Sequence, residues 1–136
     1  MYDQMSTFEL YGPIDEIEAV FQLLTTKADG DILKLDLEGK SFSIETDFIV
    51  LPIQRFYNHI WCHELHTYDS TIGHLIDYIA CKYKSLSGFF RSYDRINDYS
   101  MSLYKIHNGE MRHVVKPEYI EDKGIYINAG VPYVSK

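Results

Sequence analysis

Cysteine is scarce in this chain. Cys62 and Cys81 are the only two, with no CxxC pair and no repeated spacing. That excludes a disulfide-stapled scaffold and fits reduced thiols, leaving room for at most one bridge. Long apolar runs are missing as well, so no segment of the sequence reaches the roughly 20 residues of a membrane-spanning helix. Met1 to Leu10 carries neither a basic n-region nor an apolar h-region, and a cytoplasmic location is expected. The eight glycines are scattered as turn breakers and do not cluster before a helix, which argues against a phosphate-cradling loop. No serine stands in a Gly-x-Ser-x-Gly elbow, and Ser87-Gly88 has no histidine close in sequence.

Positive charge is the other shortage, and it is local. In the first fifty residues only Lys27, Lys34 and Lys40 face eleven Asp and Glu, whereas from Leu51 onward nine acids meet ten bases. The net charge of −7 therefore belongs to the N-terminal part. Such a one-sided field attracts basic surfaces and repels nucleic acid and anionic lipid. What the chain does have is tyrosine. Ten of its twelve tyrosines follow residue 51, and a ring with a polar tip serves both core margins and binding surfaces. At 136 residues the whole chain, 1–136, is expected to form one domain that folds without metal or disulfide.

Ser6 to Tyr11 alternates as a strand, and Gly12-Pro13 ends it. Pro13 suits the first helical position, and Ile14, Ile17, Phe21 and Leu24 recur as one apolar face of a helix ending near Lys27. Asp29-Gly30-Asp31 breaks that helix. Leu33, Leu35 and Leu37, then Phe42 and Ile44, alternate with polar residues on either side of Glu38-Gly39-Lys40, which predicts a hairpin. A loop from Pro52 through Asn58 leads to a strand over Ile60 to Thr67, with Asp69, Ser70 and Thr71 as candidate caps for a second helix. Ile72, Leu75, Ile76, Ile79 and Tyr83 form the stripe of that helix. After a break from Ser85 to Gly88, strands over Phe89–Arg95 and Met101–His107 are joined through Asn97-Asp98. Asn108-Gly109 then turns into Met111–Val115. Pro117 can open a short helix that Gly124 ends, before an irregular strand over Ile125–Val134. The implied class is α+β, a mainly antiparallel sheet with two main helices on one face and a strand-helix-hairpin unit repeated twice.

The sharpest concentration of reactive side chains is His59-Ile-Trp-Cys-His63-Glu-Leu-His66, all of them zinc-ligand types except the apolar residues. On a strand, however, Cys62, Glu64 and His66 share one face while His63 falls with Trp61 and Leu65 on the other. His63-Glu64-Leu65-His66 is also one residue short of HExxH. A small metal-dependent enzyme or metal-binding protein centred here is the alternative function; semi-buried polar residues beside a tryptophan are the preferred reading. Cys62 beside His63 and Cys81 beside Lys82 read as inert packing, Cys81 above all. Arg91, Tyr93, Arg95, Tyr99, Tyr104 and Lys105 come closest to a nucleic-acid surface, but Asp94 and Asp98 interrupt them.

The overall pattern resembles a family of small bacterial proteins, described only as a domain of unknown function, that includes immunity proteins of polymorphic-toxin systems. The resemblance rests on the strand ending in Gly12-Pro13 before a helix and on Trp61 in the strand leading to Asp69-Ser70-Thr71. It also includes the Lys116-Pro117-Glu118-Tyr119 turn before a last strand. It implies a cytoplasmic binding protein, without cofactor or catalysis, that blocks a toxin, often a basic nuclease. The acidic half fits independently. The expected partner-binding residues are Asp15, Glu16 and Glu18 on the first helix, Asp36, Glu38, Glu45 and Asp47 on the hairpin side, and Tyr93 and Tyr99 as aromatic anchors. The acids are expected to form one contiguous face, and neither nucleic acid nor membrane is an expected partner.

Overall fold

The first strand of the sequence lies in the interior of the sheet. In the computed structural model, which describes residues 4–94 and 100–114 and three short strands beyond them, β1 (Gln4–Tyr11) pairs antiparallel on both edges. One neighbour is β5 (His59–Thr67) and the other is β6 (Ser87–Asp94). β4 (Gln54–Phe56) closes one side, and β7 (Ser100–His107) and β8 (Glu110–His113) close the other, giving the order β4-β5-β1-β6-β7-β8. The β7–β8 hairpin turns on Asn108-Gly109, both at positive φ (53° and 79°), as a two-residue turn of matching twist requires.

Helices α1 (Ile14–Leu24) and α2 (Thr71–Lys82) present Ile17, Val20 and Leu24, and Ile72, Leu75, Ile76 and Ile79, to a single core. The sheet contributes Phe8, Leu10, Ile60, Cys62, Leu65, Phe90 and Ile106. The hairpin β2 (Ile32–Leu37) and β3 (Lys40–Glu45) buries Leu33, Leu35, Phe42 and Ile44 in that same core, turning on Glu38-Gly39 at φ 51° and 85°. Burying one such leucine or phenylalanine side chain stabilises the fold by about 1.5–3 kcal/mol, so the hairpin is held mainly by its inward face.

The class expected from the sequence holds: an antiparallel sheet with both helices on one face. The strand-helix-hairpin unit recurs in element order, β1-α1-β2-β3 and β5-α2-β6-β7, but the two hairpins are placed differently: β2 and β3 form a separate two-stranded sheet whereas β6 and β7 continue the main one. Local alternation predicts strands but says nothing about which neighbour they choose. Pro13 is the N-cap of α1 and stands just outside the helix, which ends at Leu24, three residues before Lys27. The loop expected from Pro52 to Asn58 contains β4, and β6 begins at Ser87, inside the expected break. The short helix expected from Pro117 is replaced by β9 (Glu118–Ile120). β10 (Ile125–Ile127) and β11 (Pro132–Val134) complete a small three-stranded sheet. The Asn97-Asp98 connection and Tyr99 lie outside the described residues.

Candidate partner-binding surface

The sheet face turned away from the helices can be read row by row from the pairing. Phe56, His59, Tyr11 and Ser87 stand opposite one another across β4, β5, β1 and β6; the next row is Gln54, Trp61, Glu9, Phe89, Lys105 and Arg112. Farther on, Met5 lies between His66 and Tyr93. Leu103 is nevertheless buried on this face beside Arg91, so the open part is the β4–β5–β1 side.

There the rings are ordered. The His59 imidazole lies parallel to Tyr11, with centroids 4.2 Å apart and planes 3° apart, and 4.7 Å from Trp61. Its Nε2 is 2.8 Å from Glu9 Oε1, which also accepts a bond from the Tyr11 hydroxyl at 3.2 Å. The Tyr11 phenol is pushed above its ordinary pKa by desolvation first and by the Glu9 charge and hydrogen bond after it. Phe56 and Tyr57 meet edge to face at 4.9 Å and are 66% and 69% exposed. The Gly12 N–H donates to the Asn58 carbonyl at 3.2 Å, which ties the start of α1 to this same end. Ile14 is 56% exposed there, followed by exposed Asp15 and half-buried Glu16. Glu18 is one turn farther along α1, in an ion pair with Arg55 of β4. Large apolar side chains held this far out of the core, with carboxylates beside them, are the composition of a protein-binding hot spot and its polar rim.

The remaining predicted acids sit elsewhere, which corrects the expectation of one contiguous face. Thr46 Oγ1 donates to the His66 carbonyl and the Tyr68 N–H to the Glu45 carbonyl, so Glu45 and Asp47 lie at the far end of β5. Nine residues rising about 3.3 Å each separate the two ends of that strand by roughly 25 Å. At the far end Asp47 accepts from the Tyr68 hydroxyl at 3.2 Å. The Tyr68 pKa is raised by desolvation first, then by that bond and by the charges of Asp47, Asp31 and Glu45. Asp36 projects from the hairpin and accepts from Ser41 at 2.5 Å. Glu38, at the hairpin tip, accepts from Lys82 at the end of α2 at 2.5 Å, and that bond is the first cause of its lowered pKa. Tyr93 stands on the partly covered sheet face. Sequence reasoning missed Phe56, Tyr57 and Ile14, although a ring pair between Pro52 and the Asn58 turn was the available signal.

The histidine run is a strand, but a bulge redistributes it. Ser6 pairs with Leu65 and Phe8 with Cys62, so Thr7 alone faces His63 and Glu64. Cys62 and Leu65 consequently both point into the core, while His66 emerges on the opposite face, 2.9 Å from Glu64. The grouping of Cys62, Glu64 and His66 is thereby undone. Among the described residues no three His, Cys, Asp or Glu side chains are arranged to hold a metal ion, and no helix is long and apolar enough to cross a membrane.

The thiols reverse their expected order. Cys81 is exposed, whereas Cys62 is buried and its pKa is pushed up to about 12 by desolvation, which the Glu64 backbone N–H only partly offsets. A thiol-reactive dye at neutral pH is expected to label one cysteine in the folded protein and two in denaturant. Mass analysis should place the first label on Cys81. Rapid labelling of Cys62 under native conditions contradicts the placement.

Comparison with known proteins gives no matching family model, no matching curated protein and no matching solved structure.

Proposed function

We propose that this chain is an immunity-type binding protein that neutralises a basic toxin domain by occlusion, with no chemistry of its own. The observation that carries the reading is that exposed Phe56, Tyr57, Ile14 and Tyr11 and the carboxylates of Asp15, Glu16 and Glu9 all belong to the end of the molecule where Gly12 is bonded to Asn58. Exposed rings supply affinity in a desolvated contact, and the carboxylates steer a cationic surface onto them. The acids near Tyr68 add to the long-range field but stand about three Debye lengths away at physiological salt, where the screening distance is about 8 Å.

That spacing makes the reading testable. The probe is the polypeptide encoded beside this gene, an arrangement usual for toxin and immunity pairs, expressed alone and together with the chain. Co-expression is expected to relieve growth arrest. Asp15→Lys with Glu16→Lys is expected to slow association about tenfold at low salt, an effect that fades as salt is raised. Reversal of Glu45 and Asp47 is expected to slow it clearly less. A toxin that still arrests growth beside the wild-type chain, or kinetics indifferent to the first pair, defeats the proposal.

A further inference from the structure

Between α2 and the helix-facing side of β6, β7 and β8 lies a cavity of about 320 Å³ that the contacts above do not use. It sits at the lower limit of the roughly 300–1,000 Å³ range of small-ligand sites. The sequence makes the room for it at Gly73, where a β-carbon would stand 3.4 Å from the Phe90 ring, so any larger side chain would enter the space. Phe90 and Tyr104 form the apolar wall with Met111. Their rings are inclined at 49° with centroids 6.1 Å apart; Phe90 is buried with Phe8 stacked on it and opens little of its ring to the cavity, whereas Tyr104 is half-buried. Tyr104 is held from behind by His113 at 4.9 Å.

The polar side of the cavity is one-sided in charge. Asp77 lines it from the solvent-exposed side of α2 and, among the described residues, no lysine or arginine does. No ion pair engages this carboxylate among the described residues. His74, one turn earlier on α2, and Ser92 on β6 add neutral or adaptable hydrogen-bonding groups. A carboxylate in the same lining as an aromatic wall and a thioether favours a cation. Coulomb attraction, contact with the Tyr104 ring and apolar burial then act on the same guest, whereas an anion meets repulsion and, among the described residues, no lysine or arginine in the lining. We propose that this cavity binds an ammonium or guanidinium group attached to a small apolar body. Asp77 takes the charge, and Phe90, Tyr104 and Met111 enclose the body. The guest can be a free amine or a basic side chain of a protein.

The test uses the full chain and three compounds of similar size: phenethylamine as the cation, 3-phenylpropionate as the anion and 2-phenylethanol as the neutral control. A short peptide with a central arginine is the fourth arm. Phenethylamine is expected to shift the His74 and Tyr104 ring resonances saturably. Asp77→Asn, which keeps the shape and removes the charge, is expected to weaken it about threefold to fivefold, the scale of a solvent-exposed charge pair. Gly73→Leu is expected to abolish binding while the melting temperature stays close to wild type. If that variant unfolds, Asp77→Asn alone decides. Saturation by the peptide but not the amine assigns the site to a protein side chain, and the reverse assigns it to a free amine. Binding of the anion or the neutral control as strongly as the cation, or no saturable shift with any compound, overturns the proposal. Neither result touches the toxin reading, which is scored on the other end of the molecule.

Discussion

Gly88→Ala is expected to destabilise the protein by at least about 3 kcal/mol, lowering the melting temperature by roughly 10 °C. Gly88 pairs with Leu10 of β1 at φ +150°, a backbone state that residues with a β-carbon rarely adopt. A β-carbon there would collide with the Glu9 carbonyl oxygen and stand 3.2 Å from the Leu10 α-carbon. Both obstacles are backbone in the middle of the sheet, so neither can swing aside. Gly30 provides the contrast. It also has positive φ, at +67°, but nothing lies within 4 Å of its would-be β-carbon, so Gly30→Ala is expected to cost only about 1–2 kcal/mol of conformational strain. Urea titrations of the two variants check this, and equal midpoints would contradict the packing described for β1 and β6. Any shift that Gly88→Ala forces on Glu9 also displaces the carboxylate that orders His59 and Tyr11.

Phe56→Ala combined with Tyr57→Ala is expected to weaken capture of the proposed basic partner by about 100-fold or more, the scale of a hot-spot pair. Because both rings are more than three-fifths exposed, folding stability should change by less than about 1 kcal/mol. The matched control is Ile49→Ala with Val50→Ala. Those side chains are comparably exposed, at 62% and 42%, but the Ile49 carbonyl is bonded to the Ala28 N–H, in the segment that follows α1. They should leave binding nearly unchanged. Calorimetric titration with the purified product of the neighbouring gene distinguishes the outcomes. A normal dissociation constant for the Phe56/Tyr57 variant removes this end of the molecule as the docking site.

The elements that could be read from sequence were those whose burial follows a local period. Leu33, Leu35, Phe42 and Ile44 alternate because one face of their hairpin is buried, and Glu38-Gly39 and Asn108-Gly109 supply the turn chemistry that such hairpins need. Ile72, Leu75, Ile76 and Ile79 mark α2 in the same way. Three things were not legible, each for a non-local reason. The β2–β3 hairpin could join the main sheet or pack in the helix layer with an identical alternation. The bulge opposite Thr7 is one extra residue, invisible to a period of two, yet it moves His66 to the face opposite Cys62. The separation of Asp15 and Glu16 from Glu45 and Asp47 depends on the direction in which α1 and β5 run, and charge counting along a chain cannot recover it. Phe56 and Tyr57 were passed over because an exposed ring and a buried ring look alike in sequence.

The interior position of β1 also sets an order of events during synthesis. Its Tyr11 pairs with His59 and its Gln4 with Asp94, so the strand leaves the ribosome before either partner and the second is not complete until Asp94 has followed. At roughly 5–20 residues per second that interval is several seconds. Until β5 has been made, Phe8 and Leu10 belong to a nascent strand with two unsatisfied edges, and until β6 has been made, with one. The hairpin β2–β3 and helix α1, whose pairings are local, can form meanwhile. The enclosure of β1 between β5 and β6 therefore waits for β6, and until then its open edge is available to other chains.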